Sequence, residues 1–512
     1  MDDFGTSAAW RYHNATKHSP ESVQASRHVL DSSIQPRPYK LYEDLKALPL
    51  TREPPWSTPP AISSISGLND LDGRSGVPEL DALASILHFS AGITKWLRTP
   101  VGRVPFRAAS CTGALYHIEL YVVSGAIPEL EAGVYHYGVP DEALRQIRKG
   151  DFRDFVAEAT GRELSVEEAP LTVVCTSTYW RNSWKYQARA YRHCFWDCGT
   201  ILANMLAMAS AHGLHARVIA GFSDIDINRL LDLDDQSEVT ISLVSIGRTS
   251  SGSPGPSPPV ARLGLATAPL SERAIDYPAI REIHTASSLD GPDVSRWRGP
   301  HPPVPIPTPT GEVVRLRPIE SASAPSDPIE RVIERRGSSR RFGQDSISFE
   351  ALSSVISSAC RGISSDYLAE PGAALNDIYL IVNAVDGLQN GTYVFHRKGQ
   401  LLERLRAGDF REVAGYLDLG QRLGADAAVN VYFLTDPGPL FERFGDRGYR
   451  AAQLEASITA GKMYLTAYAL GLGATGLTFF DDEVTKFFSP HARGKSVMFL
   501  IAIGVPVKTR SM

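Results

Sequence analysis

Hydrophobic spacing changes period several times along this chain, and the order of the changes sets the expected elements. Over residues 79–93, Leu80, Leu83, Ile86, Leu87 and Phe89 fall at helical spacing, and the run closes near Gly92. Short apolar runs at 118–123, 133–137, 171–175, 215–220 and 239–247 predict strands. Residues 143–159 read as a helix, and so does the longer run 195–211, stopped at Gly213. Ahead of these, residues 1–60 are polar and broken by proline, which predicts an irregular extension with a helix near 20–30.

The pattern then repeats at a fixed offset. Gly133-Val134-Tyr135 matches Gly391-Thr392-Tyr393, Gly150-Asp151-Phe152-Arg153 matches Gly408-Asp409-Phe410-Arg411, and Tyr191-Arg192 matches Tyr449-Arg450. The differences 391−133, 408−150 and 449−191 are all 258, as are 471−213 for Gly-Leu and 480−222 for Phe. One register held over so long a stretch means tandem duplication. Between the copies, Ser and Pro dominate (Ser253 to Pro259, then His301 to Pro309), as in a linker. The expected organisation is an extension (1–60), a first domain (61–248), a linker (249–327) and a second domain (328–512). The copies are expected to be two similar α+β domains that could pair within one chain as a homodimer would.

Composition narrows the function classes. The 512 residues are 43% hydrophobic and 21% charged, with a net charge of −5, a poor match to nucleic-acid binding. No stretch approaches a membrane span, and the polar start lacks the apolar core of a signal peptide, so a cytoplasmic protein is expected. Five scattered cysteines (Cys111, Cys175, Cys194, Cys198, Cys360) suggest buried thiols and no metal site.

Three stretches carry candidate chemistry. In Trp184 to Arg192, Lys185 stands beside Tyr186, and a neighbouring ammonium is expected to lower the tyrosine pKa, making a proton-transfer pair. Ser110, Cys111, Thr112, Gly113 and Ala114 form a small-residue turn before a strand, where backbone amides approach a flat ligand closely. Arg336, Ser338 and Arg340, in the run Arg335 to Phe342, combine guanidinium groups and a hydroxyl near a helix end, a phosphate clamp. Lys185-Tyr186 has no match in the second copy, which reads Arg443-Phe444, and around 63–76 the first copy has no clamp. His136 and His193, whose mates are Val394 and Ala451, are expected to fill or cap.

The clamp resembles the Arg-Arg-Ser-x-Arg-x-Phe opening of flavin-dependent nitroreductase-fold proteins, with Gly337 inserted. The first copy resembles the SagB-type dehydrogenases of that superfamily, also called azoline oxidases or the ThcOx family. The matching residues are Tyr12-His13 with Thr16 to Ser19, Arg107 to Tyr116, Gly133 to Tyr137, Trp184-Lys185-Tyr186 with Arg189, Tyr191 and Arg192, and Gly221-Phe222. Ser110 to Gly113 departs from the family's usual Pro-Ser-Ala-Gly.

The resemblance implies one composite FMN site. The second copy supplies Arg336, Ser338 and Arg340 to the phosphate, Leu477, Thr478 and Phe479 beside the flavin N5, and Lys508 or Arg510 after the last strand. The first copy supplies Ser110 to Ala114 against the ring and Lys185-Tyr186 as the catalytic pair. The implied activity is FMN-dependent oxidation of thiazolines or oxazolines to thiazoles or oxazoles in a ribosomally made, thiopeptide-like antibiotic. Its implied partners are an azoline-containing precursor peptide, cyclodehydratase proteins of the pathway, and molecular oxygen as electron acceptor. Two other readings stay open: an NAD(P)H-dependent nitroreductase or flavin reductase, and a non-catalytic peptide-binding scaffold.

Overall fold

The computed structural model describes residues 7–50, 56–67, 76–99, 102–249, 254–299, 308–368 and 372–507. Lys508, Arg510 and part of the 63–76 stretch lie outside the described residues.

Each copy builds a seven-stranded antiparallel sheet. In the first the order is Ala47–Pro49, Ala143–Lys149, Gly133–Gly138, Ile118–Ser124, Leu171–Thr178, Glu238–Ile246, Ala216–Ile219. In the second it is Glu312–Arg315, Leu401–Ala407, Gly391–His396, Asp377–Val382, Val429–Thr435, Ser496–Gly504, Gly473–Gly476. The shift of 258 extends to irregularities. The bulge between Val134 and Tyr135 recurs between Thr392 and Tyr393, and that between Cys175 and Thr176 recurs between Phe433 and Leu434. The fold class is therefore as expected, two α+β halves. One element differs: 143–159 is not one helix but the strand Ala143–Lys149, then the helix Arg153–Ala159. Leu144 and Ile147 alone do not separate the two periods, and sheet pairing with Gly133–Gly138 decides it.

One edge strand of each sheet comes from outside the expected domains, Ala47–Pro49 from the extension and Glu312–Arg315 from the linker. The linker in fact copies the extension. His18 exchanges two backbone-level bonds with Asp481: Asp481 N–H donates to the His18 carbonyl at 3.1 Å, and His18 N–H to Asp481 Oδ2 at 2.8 Å. Leu289 does the same with Asp224, at 3.1 and 3.0 Å. Arg192 Nη2 donates to the His13 carbonyl at 2.7 Å, and Arg450 Nη2 to the His284 carbonyl at 2.6 Å. The offsets 289−18 and 284−13 are both 271, so the duplication reaches back through Pro278–Ala286.

The halves meet along the helices Ala190–Ala211 and Arg447–Ala469, which are buried on nearly every side and so lack a polar face. Mates touch each other across this pseudo-twofold axis. A Cβ on Gly199 would come within 2.7 Å of Ser457 Cβ, and one on Gly461 within 2.6 Å of Ala203 Cβ; 457−199 and 461−203 are again 258. Such self-complementary contact is that of an isologous dimer. Reciprocal ion pairs lock it: Arg192 and Arg189 hold Asp481 at 2.6 and 3.2 Å, while Arg450 and Arg447 hold Asp224 at 2.7 and 2.6 Å. Burial disfavours both carboxylates, but the arginine pairs outweigh it and leave Asp481 below its ordinary range and Asp224 at about 2. Among the described residues no helix is long and apolar enough to cross a membrane.

Candidate flavin site between the halves

A cavity of about 1470 Å³ opens between the two halves, and it is lined by both. Ser110, Cys111, Thr112, Gly113, Ala114, Lys185 and Tyr186 line it from the first; Arg336, Ser338, Arg340, Leu477 and Thr478 from the second. Residues far apart in sequence thus face one space. Phe479 is the exception among the described candidates: it is fully buried behind the wall, against Trp196 at a centroid distance of 5.9 Å.

The turn is held from below by Asp197. Its Oδ1 accepts from Thr112 N–H at 2.9 Å and Thr112 Oγ1 at 2.8 Å, and its Oδ2 from Cys111 Sγ at 3.0 Å and pairs with His117 Nε2 at 2.7 Å. Cys111, His117 and Asp197 thus keep their ligand-type atoms within 4.8 Å of one another, as a hydrogen-bonded cluster. Burial and the Asp197 charge push the Cys111 thiol up, so it is a neutral donor. Unlike the four other cysteines, it is only partly buried. Asp197 escaped the sequence reading. An acid inside an apolar helix, repeated as Glu455 in the other copy, was the signal for it.

Tyr186 ends the helix Tyr179–Tyr186 and meets the turn. Gly113, at φ 64°, is required there, since a Cβ would lie 2.8 Å from the Tyr186 hydroxyl. The electrostatics reverse one expectation. Burial first, then Asp197 and Cys111, raise the Tyr186 pKa well above the ordinary phenol value. Lys185 does not lower it: its Nζ sits over the ring, 5.3 Å from the centroid, rather than at the hydroxyl. His193 lines the cavity edge-on against Tyr186 and pairs with Asn182 at 2.7 Å, and His136, buried away from the cavity, pairs with Glu119 at 3.1 Å.

On the opposite wall Arg340 is exposed and has no hydrogen-bond or ion-pair partner among the described residues, free to take an anion. Arg336 is buried and already donates from Nε to the Ala108 carbonyl at 2.9 Å and from Nη2 to the Arg107 carbonyl at 3.1 Å, so it ties the halves together. Ser338 Oγ lies 3.4 Å from the Tyr464 hydroxyl. Arg189, 5% exposed, leaves Nε and Nη2 without a partner.

The chain matches the model of the nitroreductase family over residues 77–248 and again over 333–505. The chain belongs to the nitroreductase family. A solved structure of a putative nitroreductase from Anabaena variabilis is 25% identical, with a TM-score of 0.77, over 98% of this chain and 100% of its own. A putative nitroreductase of Methanocaldococcus jannaschii is 25% identical over 143 residues, 28% of this chain and 71% of that protein. The microcin B17-processing protein McbC of Escherichia coli is 27% identical over 130 residues, 24% of this chain and 48% of McbC.

Members of the nitroreductase family typically bind FMN, and the residues present fit it. Besides free Arg340, the backbone N–H groups of Thr478 and Phe479 have no acceptor among the described residues. Their mates in the other half, Ala220 and Gly221, donate to the Asp366 carboxylate at 2.8 and 2.9 Å. Of these amides, closed in one half and open in the other, that of Thr478 stands at the cavity wall, where it calls for an acceptor-bearing ligand.

Proposed function

We propose that this chain is an FMN-dependent oxidoreductase that aromatises thiazoline or oxazoline rings in a ribosomally made peptide. The observation that carries the reading is the composite cavity. It brings Lys185-Tyr186 of one half against the free cation Arg340 and the open Thr478 amide of the other. The likeness to McbC supports the peptide substrate, and cyclodehydratase proteins are the partner class that makes azolines.

In this reading Arg340 and Ser338 would hold the phosphate, Arg336 would fix the wall that carries them, and the Thr478 N–H would hold the ring, with Phe479 packed behind it. Ser110 to Ala114, braced by Asp197, flanks the other face. Aromatising an azoline removes a proton from one ring carbon and a hydride from its neighbour. A bound flavin would supply the hydride acceptor, with molecular oxygen as the final electron acceptor. Lys185 and Tyr186 take the proton. Tyr186 rests as a neutral phenol and must lose its proton before it can accept one from the azoline ring, while Lys185 stands over the Tyr186 ring, beside the same cavity.

The test is anaerobic mixing of the yellow protein with an azoline peptide. Flavin bleaching with formation of the azole supports the reading. Bleaching by NADPH and not by the peptide replaces it with a nitroreductase or flavin reductase activity. A colourless protein that takes up no FMN leaves the scaffold reading.

A further inference from the structure

The first half carries an element its copy lacks. Between the helix Leu80–Ala91 and the strand Ile118–Ser124 stands a hairpin, Ile93–Thr99 paired with Gly102–Arg107. In the second half no strand is found among the described residues between the matching helix Phe349–Ala359 and strand Asp377–Val382. Among the described residues the hairpin is a two-stranded sheet of its own, with no strand paired to either outer edge. Lys95, Trp96, Leu97 and Phe106 line the flavin cavity. Lys95 Nζ fastens the hairpin to the clamp by donating to the carbonyls of Arg335 and Arg336, at 3.1 and 2.6 Å.

Its outer residues are apolar and basic. Trp96 is 54% exposed and Leu97 53%. The register pairs Trp96 with Pro105 and Arg98 with Arg103, so Trp96 and both arginines share one face. Two like charges directly opposite each other destabilise a sheet. Neither arginine has an ion-pair partner among the described residues, and residues 93–107 contain no acid in a chain whose net charge is −5. Free edges, an aromatic anchor and an unneutralised cationic pair at a cavity mouth form the surface an extended anionic segment would complete.

We infer that the hairpin docks the peptide substrate. An acidic stretch of that peptide adds as a strand along the hairpin edge, packs on Trp96 and neutralises Arg98 and Arg103, while the ring to be oxidised enters the cavity. The inference rests on the peptide-oxidation reading for its occupant. It does not rest on that reading for its test.

The flavin-loaded protein is titrated with a fluorescein-labelled peptide alternating Glu and Val, followed by anisotropy. Trp96→Ala should weaken binding about tenfold or more, the effect of losing a central aromatic anchor. Arg98→Ser combined with Arg103→Ser should remove most of the salt dependence of what remains. The far-ultraviolet circular dichroism and urea midpoint of every variant should match wild type, which shows that each is folded. Unaltered peptide affinity in both variants overturns the inference. So does equal binding of the version with Gln for Glu, or Trp96-dependent capture of phosphatidylglycerol vesicles without peptide binding, which would make the hairpin a membrane contact. The two readings fail separately. If a free small azoline bleaches the flavin while the hairpin variants still bind peptide normally, docking is wrong and oxidation stands. Trp96-dependent binding with no bleaching by any azoline leaves docking and removes oxidation.

Discussion

The two halves bring the same backbone to two pseudo-equivalent sites, and only one is open. In the closed site, residues 364–366 run alongside the edge strand Ala216–Ile219, where Val218 bridges to Ser365. Asp366 then takes the Ala220 and Gly221 amides and is itself held by Arg298 at 3.0 Å. The ring of Trp297 fills the remaining space, packing at a tilt against Phe444 at 5.3 Å and donating to its carbonyl at 3.2 Å. The mates of these plugs are small or reactive. At the offset of 271, Trp297 corresponds to Ser26, which lines the open cavity; at 258, Phe444 corresponds to Tyr186. Backbone strain differs too. The residue after each helix has a positive φ, 55° at Gly445 and 52° at Gln187, where only the second carries a side chain that resists it. The difference teaches how a duplicated fold specialises. The closed site pairs its two adjacent amides and becomes structural, while the open site retains an unmet amide, a free cation and strain.

The largest expected effect separates the proposed catalytic pair from its mates. Lys185→Ala and Tyr186→Phe should slow single-turnover bleaching about 10²–10⁴-fold with flavin retained, and the double variant should be little worse than either. Arg443→Ala and Phe444→Leu should leave that rate near wild type. Because the Tyr186 pKa is raised, the wild-type rate should climb about tenfold per pH unit through neutral pH. A rate flat above neutrality would remove the phenolate from the mechanism.

Next are the reciprocal ties. Asp224→Asn and Asp481→Asn each leave two buried arginines uncompensated and should each cost about 3–5 kcal/mol in urea denaturation. Asp224→Asn should spare the flavin, whereas Asp481→Asn frees Arg189 at the cavity wall and should shift the flavin spectrum as well. The native pKa of Asp224, about 2, lies below its unfolded value of about 3.9. Its contribution is therefore full above pH 4 and lost as pH falls towards 2. Asp224→Asn should flatten the stability profile across that window.

A smaller effect tests flavin counting. Arg340→Ala removes one charge-assisted contact, about 1.5–3 kcal/mol or roughly 10- to 150-fold in FMN affinity. The wild-type ratio should be one FMN per chain, and opening the closed site with Trp297→Ala and Asp366→Ala should leave it at one. A ratio near two in that variant would mean the closed half kept a phosphate site.

Much of this was legible in the sequence because the duplication acts as an internal control. A shift that preserves Tyr191-Arg192 as Tyr449-Arg450 but turns Lys185-Tyr186 into Arg443-Phe444 sorts interface residues from candidate chemistry. The arginines do tie the halves, and the pair does face the cavity. What escaped had no local signature. The extension and the linker share few identical residues, so their equivalence emerges only from the backbone bonds of His18 and Leu289. The raised Tyr186 pKa depends on burial and on Asp197, residues apart in sequence but close in space. Residues 143–159 misled because a strand, a turn at Gly150 and a short helix carry one continuous run of apolar positions.

The smallest effect probes strain alone. Gln187 sits at φ 52° and ψ −142°, a region that costs a residue with a side chain about 1–3 kcal/mol. Gln187→Gly relieves that but adds about 0.5–1 kcal/mol of backbone entropy in the unfolded chain. It also removes a side-chain hydrogen bond to Tyr277. The balance should be a gain of about 1 kcal/mol or less, read as a slightly higher urea midpoint. Gly445→Gln, which introduces the same strain on the closed side with no bond to offset it, should lower the midpoint by about 1–3 kcal/mol. If strain at Gln187 is kept because it aims Tyr186, Gln187→Gly should also slow bleaching while Gly445→Gln does not. A Gln187→Gly variant that is less stable than wild type would show the Tyr277 bond to outweigh the strain, and position 187 would be a structural fixture like its mate.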